Sequence, residues 1–270
     1  MVAVSFLRGL GWIVRVAIAL LGLVLVVTQS LITAKIWENP NPKVVLGLAI
    51  GVGVAAFSDQ VFAAISKRRA VKREGRERRI EKTVAEALSL IAWDRKPRHN
   101  MALLGVSVFE VRWRLGWRRG PLPWALLPWP EEGLKRVVRF RLSDTPQASK
   151  VDWVKGKGCI GAAWETRLPH HMDWRPIARA RGDGRLTPEQ FEKMSKEAKS
   201  NFTYDEFRGI APKYAEILAV PILSDLDGKV LGIVSFDRPM EDDEDPDAIL
   251  DTKLAKGYAN GAARILRDLV

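Results

Sequence analysis

Two long apolar runs open the chain, and their lengths predict a pair of membrane-spanning helices. Residues 16–34 carry no charged side chain, and at about 1.5 Å per residue this run approaches the roughly 30 Å hydrocarbon thickness of a bilayer. After a link that contains Pro40 and Pro42, residues 44–66 form a second apolar run whose single charge is Asp59. We therefore expect residues 1–66 to form a transmembrane helical hairpin.

Small residues recur every four positions in the second run, at Gly47, Gly51 and Ala55. This spacing places them on one helix face, where another helix is able to pack closely. Asp59 shares that face, and a charge at membrane depth costs about 2.5 to 3.5 kcal/mol unless it is paired or hydrated. Two interpretations are open: an ion pair between Arg15 and Asp59, or a cavity or pore lined by Asp59 from several subunits.

Basic side chains concentrate directly after the second run. Residues 67–82 hold nine Lys and Arg against three Asp and Glu, a net +6 of the +11 for the whole chain. Such clusters are typical of the cytoplasmic flank of a span, so we expect a multi-pass protein of the plasma (inner) membrane with both termini in the cytoplasm. A basic juxtamembrane helix or linker over 67–82 would contact anionic lipids. Because the charge is not on the folded domain, it argues against nucleic acid as a partner.

Helical periodicity brackets the remainder of the chain. One apolar stripe lies at 80, 84, 88 and 91, the spacing of one helix face. A second helix is predicted after Asp245-Pro246, because Asp is a favourable cap and Pro fits the first turn. Its stripe consists of Leu250, Leu254, Tyr258, Ala262, Ile265 and Leu269.

Between these helices the period is two, as half-buried antiparallel strands require. Apolar residues alternate over 104–108 and over 138–142, where Arg139 and Arg141 take the other positions. The apolar runs 217–223 and 230–236 flank an Asp-Gly step, which predicts a hairpin. Residues 83–270 are therefore predicted to form an α+β domain in which helices pack on an antiparallel sheet.

Two segments of this domain resemble the GAF domain family. Residues 214–222 and 227–236 read YAEILAVPI and DGKVLGIVSF, similar to the last hairpin of GAF domains, and residues 156–166 read GKGCIGAAWET, similar to their Gly-x-Gly turn and short helix. The resemblance implies a six-stranded antiparallel sheet flanked by helices, with a ligand pocket on one face and dimerisation through the bracketing helices. GAF domains bind cyclic nucleotides, other small ligands, haem or bilins, and many serve only as dimerising relays, so the resemblance identifies no cofactor.

Signatures of catalysis are missing from the sequence. The P-loop, Gly-x-Ser-x-Gly and His-Glu-x-x-His motifs are all absent, and the single Cys159 excludes an internal disulfide. Gly156, Gly158 and Gly161 match the dinucleotide fingerprint, but no βαβ unit surrounds them, so a tight turn is the better interpretation. We therefore expect neither an enzyme nor a metal site.

The irregular middle of the domain, residues 150–215, supplies the predicted ligand contacts. Aromatic rings stack on a base and Arg pairs bidentately with phosphate, so this composition suits a nucleotide. The alternative is an aromatic core with solvated arginines. The predicted contacts are Trp164, Arg167, Trp174, Arg175, Phe202, Tyr204 and Arg208.

The combined pattern predicts a membrane-anchored cytoplasmic small-molecule sensor. Its expected ligand is a nucleotide second messenger such as a cyclic nucleotide, and its expected output is a change in its own transmembrane helices within a homo-oligomer. The alternative is a membrane-tethered dimerisation or docking subunit that passes redox, gas or metabolite state to a separate partner protein.

Overall fold

The chain of 270 residues is represented by a computed structural model. The structure describes residues 22, 24, 26–27, 42–93, 101–119, 126–144, 146–149, 151–179, 186–240 and 248–270. Contacts divide the chain into two units, Met1–Glu74 and Gly75–Val270. Helix α1, Pro42–Trp93, extends from the first unit into the second.

The predicted membrane hairpin is contradicted. Within the described ranges, no helix combines the length and apolar character needed to cross a membrane. The second apolar run belongs to α1, a 52-residue helix that also contains Asp59 and the whole basic segment. Our assignment of a multi-pass plasma-membrane protein was therefore wrong. Arg15 and most of the first run lie outside the described residues, so the Arg15–Asp59 pair stays a prediction.

Gly47 and Gly51, two of the predicted packing residues on α1, are exposed. A Cβ added at either position would meet no described atom within 4 Å, and Phe57 on the same helix is 69% exposed. Most of the first run lies outside the described residues, so the packing role of Gly47, Gly51 and Ala55 stays a prediction.

The second unit contains an antiparallel sheet in the order β2-β1-β5-β4-β3. Its strands are β1 (Gly105–Arg119), β2 (Leu126–Arg141), β3 (His170–Asp173), β4 (Tyr214–Leu223) and β5 (Val230–Pro239). The described residues form five strands, where the family resemblance implied six. The predicted hairpin is confirmed, because β4 and β5 pair across the Asp227-Gly228 turn.

One face of the sheet, here called the first face, is covered by the two bracketing helices. The stripe predicted on α1 is confirmed, since Ile80, Val84, Leu88 and Ile91 are all buried in one cluster with β-strand residues. Helix α7 (Lys253–Leu266) packs on the same cluster. Its predicted stripe is confirmed in part: Leu250 and Ala262 are buried and Tyr258 and Leu269 pack on the cluster, whereas Leu254 is 53% and Ile265 61% exposed. Ala255 and Ala259, outside the predicted stripe, are buried.

The opposite face, here called the second face, is covered by short helices. They are α2 (Gly158–Thr166), α3 (Arg175–Arg179), α4 (Pro188–Glu192), α5 (Lys196–Lys199) and α6 (Tyr204–Ile210). Thr187 and Thr203 each begin a helix with a capping box. The threonine hydroxyl accepts from the backbone amide three residues later, and the side chain of that later residue accepts from the threonine amide. The predicted α+β class is thus confirmed.

The glycine motif forms a tight turn at the start of α2, as interpreted from the sequence. Gly158 has a φ of +57°, and a Cβ there would lie 2.5 Å from Phe202 Cζ. The Gly156 amide donates to the Gly161 carbonyl at 2.8 Å. The glycines allow backbone and aromatic rings to approach closely, which a side chain would prevent.

Candidate ligand site on the second face of the sheet

A row of small side chains crosses the centre of the second face. The strand register aligns Ser107 of β1, Ser235 of β5 and Ala219 of β4, and all three are buried. The adjoining row holds the larger Phe109 and Ile233. The small residues therefore form a low row in the sheet, which we call the trough below; helix α2 packs over it, since Cys159 and Ala163 share a buried cluster with Ala219.

Two arginines of the edge strand β2 face the same side as the trough. Arg139 pairs with Ser107, and Arg136 pairs with Phe109. Residues three apart would face opposite sides of a regular strand. The register shifts between Val108 and Phe109, so Val137 is an extra residue in β2, and this β-bulge brings both arginines to one face.

Arg136 is a half-buried cation without an anionic partner among the described residues. Its Cζ lies 5.1 Å from the centre of the Phe109 ring, within the range of a cation–π contact. Its Nε is buried and has no hydrogen-bond acceptor. Burial lowers the pKa of Arg136, the Tyr214 hydroxyl opposes that shift, and the neighbouring charge of Arg139 adds to it.

The other two arginines of β2 differ in how their charges are compensated. Arg139 donates from Nη2 to the carbonyl of Pro146, a neutral acceptor. Arg141 forms an ion pair with Asp237 and lies across Gly105, where a Cβ would overlap its guanidinium. Arg141 is thus neutralised, whereas Arg136 and Arg139 have no carboxylate partner within the described residues.

A chain of aromatic contacts leads from Phe109, which lies against Arg136, into the interior of the second unit; Phe109, Trp153, Phe202 and Trp174 are called the aromatic group below. Trp153 makes edge contacts with Phe109 at 6.2 Å and with Phe202 at 5.9 Å between ring centres. Trp174 lies 6.1 Å from Phe202. Both indole Nε1 atoms are buried without an acceptor, which is uncommon because buried N–H groups normally find a partner.

Of the predicted ligand contacts, Trp174 and Phe202 are members of this aromatic group. Trp164 is buried in the same hydrophobic cluster, with Lys155 Nζ 5.1 Å from its ring. Tyr204 lies at the edge of the cluster, where its hydroxyl donates to the Leu186 carbonyl at 2.7 Å and Arg208 lies over its ring.

Arg167 and Arg175 lie elsewhere. Arg167 is the exposed C-cap of α2 with a φ of +61°. Arg175 is buried and pairs with Asp173 at 2.7 Å. The predicted site therefore stays a prediction: Trp174 and Phe202 belong to the aromatic group, whereas Arg167 and Arg175 do not.

A separate ionic cluster surrounds Glu216, which is fully buried on β4. Its carboxylate lies 3.3 Å from Arg238 Nε and 3.3 Å from His171 Nε2. It also accepts from the Ile249 amide at 3.1 Å and the Leu250 amide at 2.9 Å. Burial raises the pKa of Glu216, but the hydrogen bonds from His171 and the two amides outweigh burial and lower it below 4.5.

Cys159 of α2 lies against the second face as a buried thiol. Its Sγ donates to the His170 carbonyl at 3.1 Å, and burial raises its pKa to about 12. A thiol in this state is a poor nucleophile and a poor metal ligand. Among the side chains that the structure describes, no three His, Cys, Asp or Glu residues are grouped as a metal site would require.

Sequence reasoning missed Arg136, Phe109 and Trp153. The alternation around Val138 suggested that the arginines of this strand point to solvent, and the bulge that changes their direction has no local signature. Trp153 lies just before the glycine turn. A tryptophan at that position was the one feature of the sequence that could have indicated an additional site residue.

Comparisons with known proteins give only distant structural neighbours. The chain matches no family model and no curated protein. Among solved structures it is similar to a GAF domain/HD domain protein from Geobacter sulfurreducens, with 14% identity, a TM-score of 0.38, and coverage of 73% of this chain and 97% of that one. It is also similar to the A. aeolicus nlh2 GAF domain in an inactive state, with 12% identity, a TM-score of 0.32, and coverage of 73% and 96%.

A third neighbour is the NreA protein from Staphylococcus aureus, mutated in its nitrate-binding site. The identity is 15%, the TM-score is 0.30, and the match covers 69% of this chain and 98% of that one.

Proposed function

We propose that the second unit is a small-molecule sensor whose ligand binds over the trough on the second face of the sheet. The segments that resemble GAF domains lie in this unit, and the trough is bounded by aromatic rings and by Arg136. Ligand sites are commonly apolar and aromatic with a few directed polar groups, and this composition meets that description.

One observation supports the proposal most directly: three buried donors of the second unit have no acceptor among the described residues. They are Nε of Arg136 and Nε1 of Trp153 and of Trp174. Leaving a buried donor unsatisfied costs about 1 to 3 kcal/mol. A bound ligand that accepts hydrogen bonds from these donors would recover part of that energy, and this gain would favour binding.

Ligand binding would be transmitted through strands shared by both faces. Ala219 and Ser235 form the trough floor, and their neighbours Leu218 and Phe236 are buried against α1 and α7 on the first face. Protein interiors are close-packed, so a shift of β4 or β5 is felt on both sides. Helices α1 and α7 are therefore the proposed output elements.

The test uses thermal unfolding of the purified full chain with five probes: adenosine, AMP, cyclic AMP, indole-3-acetate and indole-3-ethanol. We expect at least one probe at saturating concentration to raise Tm by about 2 °C or more. The Ser235→Leu variant, whose larger side chain fills the trough, should lose that response. The Ser89→Leu variant, changed at an exposed position of α1, should retain it. If no probe shifts Tm of the unsubstituted chain, the proposal is overturned.

The alternative, a docking or dimerisation subunit, is favoured by one observation on α7. Leu254 and Ile265 are 53% and 61% exposed, and they lie on the same side of that helix. Light scattering of the full chain would test this function: Leu254→Glu with Ile265→Glu should lower the molar mass of a homo-oligomer. An unchanged mass in the double variant would reject this role for α7.

A further inference from the structure

Helix α1 carries a row of exposed apolar side chains along one face of its part in the first unit. At about 100° per residue, the five positions fall within about 80° of the helix circumference. The five residues are between 39% and 69% exposed. A contiguous exposed apolar surface marks a site of interaction with a protein or a membrane. The row consists of Ile50, Val54, Phe57, Val61 and Ile65.

The same face of α1 becomes basic where the apolar row ends. Arg68 and Lys72 follow Ile65 by three and seven positions, so they continue the row, and both are exposed. Residues 67–73 contain five Lys and Arg and no Asp or Glu. Asp59 lies nine positions after Ile50, on roughly the opposite side of the helix. The row together with Arg68 and Lys72, here called the apolar-basic face, therefore contains no acid.

A second copy of α1 is a poor partner for the apolar-basic face. In a parallel pair, Arg68 and Lys72 of the two copies would face each other, and like charges repel. In an antiparallel pair centred on Phe57, Arg68 would lie against the apolar sequence around position 46, where a cation has no counter-charge.

An anionic bilayer presents the complementary groups in the right order. Its phosphate groups lie outside its hydrocarbon, and negative lipids attract Lys and Arg that lie near the surface. The apolar row would meet acyl chains while the adjoining basic residues meet phosphates. Both parts of the apolar-basic face would then have a partner of matching chemistry.

We propose that the apolar-basic face of α1 binds the surface of a bilayer that contains anionic lipids. The apolar row enters the boundary between headgroups and acyl chains, and the basic residues of 67–73 contact lipid phosphates. The contact is made at one surface of the bilayer and differs from the membrane-spanning hairpin contradicted above. It concerns the first unit and does not depend on the sensor function proposed for the second.

The experiment measures flotation of the purified full chain with lipid vesicles. The vesicles contain phosphatidylcholine alone or equal parts of phosphatidylcholine and phosphatidylglycerol. We expect a partition coefficient about 10-fold or more higher on the mixed vesicles. This preference should largely disappear between about 0.1 M and about 1 M salt, because the Debye length shortens from about 10 Å to about 3 Å.

A pair of apolar substitutions assigns the binding to the row. Val54→Gln with Phe57→Gln should lower the partition coefficient on mixed vesicles about 10-fold or more, because less apolar surface leaves water. Leu168→Gln with Leu226→Gln changes two exposed leucines of the second unit and should have no effect. Far-UV circular dichroism confirms that each variant retains its helices and strands.

A pair of charge substitutions assigns the lipid preference to the basic segment. Arg68→Gln with Lys72→Gln should reduce binding to mixed vesicles and leave the weaker binding to phosphatidylcholine unchanged. Lys193→Gln with Lys196→Gln removes two exposed charges of the second unit and should leave both unchanged.

Three outcomes would overturn the inference. The full chain may bind neither kind of vesicle or both equally, which would remove the anionic bilayer as partner. Full binding by the Val54→Gln, Phe57→Gln variant would show that the row is not the site. If that variant instead lowers the molar mass of the vesicle-free chain in light scattering while vesicle binding stays unchanged, the row covers a second copy of the chain. In each case the Tm response that tests the sensor function is a separate measurement.

Discussion

Glu216 Oε2 accepts a hydrogen bond from the Leu250 amide at 2.9 Å. The bond connects the middle of the sheet to the segment that leads into α7, 34 positions later in the chain. Thr252, two residues on, caps the helix by accepting from the Ala255 amide at 3.0 Å. The start of α7 is therefore held by one buried carboxylate and one capping hydroxyl.

Removing the Glu216 carboxylate should strongly destabilise the second unit. Glu216→Ala removes the acceptor of two buried backbone amides and a carboxylate beside the buried Arg238, and we expect a loss of about 3 to 5 kcal/mol in the free energy of unfolding. Urea unfolding measures the change. Glu192→Ala, which removes an exposed carboxylate 3.5 Å from Lys199, should cost less than about 1 kcal/mol. Equal effects of the two substitutions would contradict the assignment.

Stability should fall at acidic pH in a manner that depends on Glu216. Its pKa in the folded state is below the ordinary value of 4.5, so the unfolded chain takes up the proton first as pH falls. The stabilisation is present above 4.5 and is lost as pH drops through the folded pKa. The pKa of Asp173 is also lowered, because hydrogen bonds from Arg175 outweigh burial, and it contributes in the same direction.

Urea midpoints measured from neutral pH to about pH 3 test this dependence. Glu216→Gln should flatten the acid limb of the curve, because the substituted side chain does not titrate. Glu192→Gln serves as the matched change of one exposed charge and should leave the limb as it is. A Glu216→Gln curve parallel to that of the unsubstituted chain would reject the linkage.

Arg136→Met should stabilise the ligand-free protein while impairing ligand binding. The substitution keeps an unbranched side chain over Phe109 and removes an uncompensated charge, so we expect a gain of about 1 to 2 kcal/mol in the free energy of unfolding. Arg264→Met on the exposed surface should stay within about 0.5 kcal/mol. Destabilisation by Arg136→Met would mean that the guanidinium has a stabilising partner after all.

Gly158→Ala should be more harmful than Gly228→Ala although both glycines have positive φ. At Gly228, with φ +65° and no atom within 4 Å of an added Cβ, the cost is the conformational strain alone, about 1 kcal/mol. At Gly158 the Cβ would lie 2.5 Å from Phe202, which adds an overpacking cost of about 1 to 3 kcal/mol. Thermal unfolding of the two variants measures the difference, and similar Tm values would show that Phe202 is free to move.

Cys159 should resist alkylation in the folded protein. With a pKa of about 12, only about 1 in 10,000 thiols is ionised at pH 8, and the side chain is buried. Iodoacetamide should add no mass to the native chain in an hour and one adduct in concentrated urea. Rapid modification under native conditions would contradict the burial of this thiol.

The periodicity of apolar residues was sufficient to predict a helix or strand, and its buried face, where the buried residues form a regular stripe. The α1 residues from Ile80 to Ile91 and the β4–β5 hairpin were predicted correctly for this reason. Helix α7 was predicted only in part. Leu250 and Ala262 of its predicted stripe are buried, but the small Ala255 and Ala259 also let the backbone approach the sheet, while Leu254 and Ile265 face outward. A stripe based on hydrophobicity alone includes the two exposed residues and omits the two alanines.

The parts of the site that the sequence did not reveal depend on distant contacts. Glu216 is a single acid ahead of an apolar run, and its partners His171 and Leu250 lie 45 and 34 positions away. The length and low charge of residues 44–66 suggested a membrane helix; in the structure this run is the first part of a 52-residue helix that continues through the basic segment.

The extra residue at Val137 has an evolutionary consequence. The two arginines share a side only because the backbone pairing is irregular between them, so an insertion or deletion in that short interval would separate them without altering either residue. Under the proposed function, descendants should therefore conserve the number of residues in the interval as strictly as the arginines themselves. A change in spacing alone would then alter the proposed site.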